Sequence, residues 1–203
     1  MRLPPPPPVL PVTFPRFTFQ PGTRLIRFYR PQHGPWNQQR RYGPLFDLRF
    51  DHHAGRPGER DDRSVWYAST SLVGAVSETF GNLHFLDRNP NRRICIVRVR
   101  SSLVLVDLVG VAARTLGLDQ RIGTSTDYEC CQEWARALYD QYPDMRGIRW
   151  RGRQSGSICV VLNDRAAMGS LELLADFEIT HPDVWPQIER AAYRAHLRIA
   201  ISH

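Results

Sequence analysis

Apolar and polar residues alternate in several short segments of the chain, a pattern typical of strands with one buried face. Residues 93–100 (RICIVRVR) alternate most regularly. In residues 25–29 (LIRFY) the two-residue period places Arg27 on the opposite face from Ile26 and Phe28. The pattern predicts strands over residues 25–29, 64–68, 93–100, 103–108, 147–150, 157–162 and 171–179.

Apolar residues recur at helical spacing in other segments, which predicts helices over residues 72–80, 128–142 and 185–201. Ser71 can cap the first helix and Gly81 can end it. The chain has 203 residues, of which 42% are hydrophobic, enough to bury one core. We therefore expect a single α+β domain, in which helices flank a mixed central β-sheet.

The first 22 residues differ in composition from the rest of the chain. Five consecutive prolines, Pro4 to Pro8, favour polyproline II and exclude a helix. We expect residues 1–22 to form a loose, proline-rich N-terminal arm and residues 23–203 to form the domain, including its C-terminal helix. The prolines also interrupt any apolar segment of a signal peptide, and no run of about 18 apolar residues occurs. These features favour a cytoplasmic protein without a membrane partner.

The net charge is +7, and every one of the 27 basic residues is arginine. Such a balance fits a nucleic acid, an acidic protein or a phosphate-bearing small molecule as partner. The four cysteines lack the spacing of zinc ligands, which indicates buried free thiols. His52 and His53 follow Asp51 without a third ligand at suitable spacing, so we expect no metal site.

Four motifs in a fixed order carry the candidate functional residues. They are LIRFY with Arg27, LRFD with Arg49, VWYAS with Tyr67 and LVGAVSETF with Glu78. This succession resembles the RES domain over about residues 24–164. The resemblance implies a toxin of a bacterial toxin-antitoxin pair, with a fold similar to ADP-ribosyltransferases. It also implies an Xre-type helix-turn-helix antitoxin as partner.

The resemblance further implies that the protein uses NAD⁺ as a substrate. The reaction would be hydrolysis, phosphorolysis or transfer of ADP-ribose to a protein acceptor. By this resemblance Glu78, Arg49 and Tyr67 are the candidate catalytic residues. Arg27, Arg49, Tyr67 and Ser125 are the candidate NAD-binding residues. The family serine has no firm position here, and the alternatives to Ser125 are Thr126, Glu129, Ser155 and Ser157.

The residue types suit this chemistry. Guanidinium groups bind pyrophosphate, and an aromatic ring can face nicotinamide. Glycosidases use two carboxyl groups because the leaving oxygen must be protonated, but nicotinamide leaves as a neutral base. One carboxylate, Glu78, can therefore be sufficient.

The charge leaves another interpretation open. Arginine and aromatic residues are interleaved at 28–30 and 150–153, which would suit a basic nucleic-acid-binding protein without catalytic activity. No recognised nucleic-acid-binding motif accompanies them, so we expect no direct nucleic-acid contact.

Overall fold

The structure is a computed structural model that describes residues 3–46, 48–88 and 91–199. Within these ranges the chain forms three α-helices and eleven strands. The helices are α1 (Leu72–Phe80), α2 (Tyr128–Gln141) and α3 (Trp185–Arg194). The strands are β1 (Arg16–Phe19), β2 (Arg24–Tyr29), β3 (Arg40–Tyr42), β4 (Arg60–Ser69), β5 (Phe85–Leu86), β6 (Arg93–Val99), β7 (Leu103–Asp107), β8 (Gly147–Arg151), β9 (Ile158–Asn163), β10 (Leu171–Glu178) and β11 (Arg198–Ile199).

Nine of these strands form one sheet in the order β1-β7-β8-β9-β4-β2-β6-β10, and β3 pairs with β4 beside this path. The β7–β8 pair is parallel and the other pairs of this sheet are antiparallel. The two remaining strands, β5 and β11, pair in parallel. The prediction of a single α+β domain with a mixed central sheet is confirmed.

The sheet opens between β2 and β4. These neighbouring strands share one residue pair, Ile26 with Ser69. Toward the N-terminal end of β4, Val65 and Arg60 pair with β3 instead of β2. Because β2 and β4 diverge after a single bridge, a cleft forms between them.

Local side-chain caps explain where the first two helices begin. The Ser71 hydroxyl accepts a hydrogen bond from the backbone N–H of Gly74, and the Asp127 carboxylate accepts one from Cys130. α1 then packs against α3, and Phe80 and Ile188 are fully buried in their shared core. These contacts fix α1 beside the cleft.

The third helix is shorter than the sequence predicts. It ends at Arg194, whereas the apolar spacing predicts a helix to residue 201. His196 adopts a left-handed backbone conformation, with φ of 55°, and this conformation cannot continue a helix. The chain then enters β11, and residues 200 and 201 lie outside the described ranges.

The prediction of a loose N-terminal arm was wrong. Leu3, Leu10 and Phe14 are buried in the core that contains α2, and β1 joins the edge of the sheet through β7. α2 also binds the arm through hydrogen bonds, because Trp134 Nε1 donates to the carbonyl of Pro4 at 2.9 Å. Polyproline II leaves its own carbonyls without internal partners, which makes them available to such donors. The division of the chain into residues 1–22 and 23–203 stays a prediction.

Candidate active site

A cavity of about 450 Å³ lies in the cleft between β2 and β4. Arg27 from β2, Arg49 from the loop after β3, Tyr67 from β4 and Glu78 from α1 all line it. We call this cavity the glutamate lobe. Four residues that lie far apart in sequence are thus brought to one concave surface.

Arg27 lies deep in the cleft wall. Its guanidinium carbon is 5.1 Å from the centroid of the Trp66 ring, and Nη2 donates a long hydrogen bond of 3.4 Å to the carbonyl of Gln38. Burial lowers the pKa of Arg27 to about 10, which leaves the side chain charged at neutral pH. Its Nε has no hydrogen-bond partner among the described residues. The charge is therefore partly unsatisfied.

Arg49 is 6% exposed and is held from the side of α2. Its Nη2 donates to the backbone carbonyl of Ser125 at 2.8 Å, and its guanidinium carbon lies 5.1 Å from the centroid of the Tyr128 ring. Gln132 of α2 holds the segment that precedes Arg49, because its Nε2 donates hydrogen bonds to the carbonyls of Leu45 and Leu48 at 2.7 and 2.8 Å. The position of Arg49 thus depends on a side chain of α2.

A buried carboxylate supports the start of the same loop. Asp51 accepts a hydrogen bond from the backbone N–H of Leu45 at 2.9 Å and interacts with Arg40 and His53. Burial by itself would raise the pKa of Asp51, but the hydrogen bond from His53 and the charge of Arg40 outweigh it and hold the pKa at about 2. A side chain at Gly43 would collide with all three groups, which explains the glycine there.

Glu78 lies in the last turn of α1, and its side chain is exposed toward the cavity. The protein around the carboxyl group displaces water and raises its pKa, while the charges of Arg49 and Arg153 act in the opposite direction. Gly152 lies directly behind the carboxylate, and a methyl group at this position would overlap Glu78 Oε1. The glutamate is therefore placed by a close backbone approach as well as by α1.

Strand alternation separates the two aromatic residues of β4. Trp66 is fully buried in the core, whereas Tyr67 is half-buried and faces the cavity. The Tyr67 ring meets the buried Trp150 edge to face, with 6.3 Å between the centroids. The Tyr67 ring therefore faces the cavity and packs against Trp150.

The candidate serine is not brought to the cavity as a side chain. Ser125 supplies its backbone carbonyl to Arg49, and its hydroxyl accepts a hydrogen bond from the N–H of Asp127. Thr126 and Glu129 are exposed. Ser155 and Ser157 lie in the neighbouring loop, and among the described residues none of these five candidates lines the glutamate lobe.

Two serines that the sequence analysis did not single out do line the glutamate lobe. The Ser77 hydroxyl donates to the Val73 carbonyl at 2.7 Å, and the Ser69 hydroxyl donates to the Ile158 carbonyl at 2.8 Å. Ser77 precedes Glu78 by one residue, and Ser69 forms the single bridge between β2 and β4. Both lie inside the quoted motifs, Ser69 at the end of VWYAS and Ser77 within LVGAVSETF, but the resemblance assigned the family serine to neither position.

A second cavity of about 690 Å³ continues from the first. Arg27, Arg30, Tyr67 and Arg92 line both cavities. We call the second cavity the arginine lobe, after the arginines among its described lining residues: Arg27, Arg30, Arg40, Arg41, Arg60 and Arg92. Of these arginines only Arg27 was predicted as a site residue; the pairing of β3 with β4 brings in Arg40, Arg41 and Arg60, and Arg30 and Arg92 come from the end of β2 and the segment before β6.

Within residues 3–46, 48–88 and 91–199, no group of three or more His, Cys, Asp or Glu residues could hold a metal ion. His52 instead stacks on Tyr139 at 4.5 Å and interacts with Asp164. No helix of the described chain is long and apolar enough to cross a bilayer.

The protein is thus an α+β protein with an arginine-lined cleft, and Glu78 is the one glutamate among the cleft's described lining residues. The RES domain family model matches residues 24–183, and the chain belongs to the RES domain family. Among solved structures, a chain of the M. tuberculosis MbcT-MbcA toxin-antitoxin complex is similar in fold, with a TM-score of 0.61 and 16% sequence identity. The match covers 85% of this chain and 92% of that chain. No curated protein matches the sequence.

Proposed function

We propose that this protein is the toxin of a toxin-antitoxin pair, and that it binds NAD⁺ in the cleft and breaks the nicotinamide-ribose bond. The observation that carries the proposal is the convergence of Arg27, Arg49, Tyr67 and Glu78 on one cavity. The proposal also draws on membership of the RES domain family.

The two arginines suit the pyrophosphate. Neither Arg27 nor Arg49 forms an ion pair with a carboxylate among the described residues, and each has an Nε without a partner there. Guanidinium groups that lack carboxylate partners favour an anionic ligand, which they can bind through charge-assisted hydrogen bonds. Tyr67 lines the same cavity and offers a surface for the nicotinamide ring.

Glu78 would act on the sugar. When the C–N bond breaks, its electron pair goes to the nicotinamide nitrogen, which becomes neutral, and positive charge develops on the ribose. A carboxylate beside the ribose stabilises this charge and can accept a hydrogen bond from a ribose hydroxyl. Water, phosphate or a protein acceptor then bonds to the ribose, which gives hydrolysis, phosphorolysis or ADP-ribosyl transfer.

A neutralising partner follows from the same proposal. The structural neighbour is part of a toxin-antitoxin complex. We propose an Xre-type helix-turn-helix antitoxin that covers the cleft between the Arg49 loop and Glu78. Acidic side chains of such a partner would meet the arginines of the cleft.

The test is nicotinamide release from NAD⁺, measured with and without cell extract as a source of acceptors. We expect Glu78→Gln to lose roughly 2 kcal/mol or more of transition-state stabilisation, a rate loss of about thirtyfold, while NAD⁺ binding by calorimetry persists. Glu133→Gln on α2 makes the same chemical change outside the cavity lining and serves as the control. Wild-type turnover by a folded Glu78→Gln protein would refute the role of the glutamate.

The same experiment separates the proposal from the alternative. If the wild-type protein releases no nicotinamide under either condition, and instead binds RNA or DNA with a strong salt dependence, the chain is a basic nucleic-acid-binding protein.

A further inference from the structure

The arginine lobe carries positive charge without matching negative charge. Its described lining residues include six arginines and His33, and none of them is Asp or Glu. Within the described chain, Arg40 is the one arginine of this set that is ion-paired with a carboxylate, that of Asp51. The lobe therefore has the charge of an anion-binding site, next to the glutamate lobe and continuous with it.

Individual contacts show how little of this charge is compensated. Arg41 donates to the backbone carbonyl of Asp62 at 3.2 Å, and the structure gives Arg30 and Arg60 no ion pair among the described residues. Arg92 lies over the Phe80 ring at 4.9 Å, and burial and the neighbouring Arg30 lower its pKa against the opposing charge of Asp87. An anion in the lobe would relieve this unfavourable arrangement.

The two lobes are continuous through Arg27 and Tyr67. A dinucleotide with its nicotinamide ribose at Glu78 and its pyrophosphate at Arg27 would place its adenosine in the arginine lobe. Tyr42 is 41% exposed and lines the lobe, and the Arg40 guanidinium carbon lies 5.4 Å from the centroid of its ring. The exposed part of this ring could contact the adenine. In that orientation the adenosine ribose would lie near β3 and the start of β4, whose residues line the arginine lobe.

The residue types in this region indicate whether the lobe suits an adenosine ribose with a free 2′-hydroxyl or one with a 2′-phosphate. In Rossmann-type dinucleotide sites, Asp or Glu binds the 2′-hydroxyl of an unphosphorylated ribose, whereas arginine accommodates a 2′-phosphate. The same charge argument applies to a ribose in this cleft. Here β3 and β4 pair so that Tyr42 faces Arg60, and Arg41 lies beside them. Two exposed guanidinium groups take the place of the carboxylate.

We propose that the arginine lobe binds the 2′-phosphate of a phosphorylated dinucleotide, with Arg41 and Arg60 as ligands, so that NADP⁺ is preferred to NAD⁺. The reaction at Glu78 rests on the proposed function, but the phosphate site is a separate part of the cleft. A phosphate dianion also occurs free in solution, and the experiment distinguishes this source.

The first measurement compares kcat/KM for the two dinucleotides. We expect the value for NADP⁺ to exceed that for NAD⁺ by about tenfold or more, since one charge-assisted hydrogen bond contributes that much. Arg41→Gln and Arg60→Gln should each reduce this ratio toward one. Arg24→Gln makes the same change on β2 outside both lobes and should keep the wild-type ratio. A ratio of one in the wild-type protein would overturn the proposal.

The second measurement does not depend on turnover. Calorimetry compares 2′,5′-ADP with 5′-AMP, two nucleotides that differ only in the 2′-phosphate, on the wild-type protein. We expect tighter binding of 2′,5′-ADP by about tenfold or more, and loss of the difference in Arg41→Gln and Arg60→Gln. Equal affinities would overturn the proposal. So would displacement of 2′,5′-ADP by inorganic phosphate at equal concentration, which would define a site for free phosphate.

The two measurements separate the failure of each proposal. A protein that cleaves neither dinucleotide but binds 2′,5′-ADP selectively contradicts the proposed reaction and supports the phosphate site. A protein that cleaves both dinucleotides equally well supports the reaction and contradicts the phosphate preference.

Discussion

Gly152 and Glu78 are in direct contact across the cleft wall, and a side chain at position 152 would occupy the space of the Glu78 carboxylate. Gly152 is buried at the start of the loop between β8 and β9, and its N–H donates to the carbonyl of Ser157 at 2.8 Å. The loop backbone is therefore held in place, and an added methyl group would have to displace the Glu78 carboxylate and, to a smaller extent, the Cys159 thiol.

The contact predicts a loss of activity in Gly152→Ala. The added methyl group should displace the end of the Glu78 side chain, so we expect kcat to fall by about tenfold or more, with a smaller change in the melting temperature. Steady-state nicotinamide release and thermal unfolding measure the two effects. Gly169→Ala is the control, because a methyl group there meets nothing within 4 Å. Unchanged kcat in Gly152→Ala would contradict a fixed position for Glu78.

The raised pKa of Glu78 predicts where kcat/KM begins to fall as the pH is lowered. Glu78 must be ionised to stabilise the ribose cation, and a raised pKa keeps it protonated to a higher pH. We expect kcat/KM to fall with acidification around a midpoint above the ordinary glutamate value of about 4.3.

Arg153 lowers the pKa of Glu78, so its removal should move that midpoint to higher pH. The pH profiles of wild type and Arg153→Gln measure the displacement, and Arg24→Gln controls for net charge. A displacement to lower pH in Arg153→Gln would show that another group titrates.

Gln132 is predicted to position Arg49 from α2. Gln132→Met keeps the size of the side chain but leaves the Leu45 and Leu48 carbonyls without their donor. We expect a loss of about 1–3 kcal/mol in the free energy of unfolding and a rise in KM for the dinucleotide. Denaturant unfolding and steady-state kinetics measure these effects, and Gln141→Met at the exposed end of α2 is the control. A KM equal to that of wild type would mean that Arg49 does not depend on Gln132.

The docked N-terminal arm is predicted to stabilise the fold. Phe14 is buried, and its ring centroid lies 4.7 Å from that of Tyr142. Phe14→Ala should lower the free energy of unfolding by about 3 kcal/mol because it leaves a cavity beside α2. Val12→Ala is the control, since Val12 is 93% exposed. Equal unfolding midpoints for the two variants would show that the arm contributes nothing to stability.

The helices and the main strands were predictable because their signals are local. The caps Ser71 and Asp127 adjoin regular apolar spacing, and α1 has the predicted bounds of residues 72–80. The order of the four motifs was also sufficient to name Arg27, Arg49, Tyr67 and Glu78, which the fold brings to one cavity.

The rest depends on contacts between distant parts of the chain. The arm carbonyls find donors on Trp134 and Tyr142, more than 120 residues away, and no pattern in residues 1–22 indicates this. β4 begins at Arg60 rather than at residue 64, because its polar first residues pair with β3. The same pairing brings Arg40, Arg41 and Arg60 to the arginine lobe, and no local pattern in either segment indicates that they meet.

The single bridge between Ile26 and Ser69 has a mechanical consequence. The cleft needs no lid to hold its two walls apart, because the branching of the sheet itself sets the distance between Arg27 and Tyr67. Beneath the cleft, Leu25 of β2 and Trp66 of β4 belong to one fully buried cluster. Any widening of the site would have to deform that cluster, so the spacing of the walls is as rigid as the protein interior.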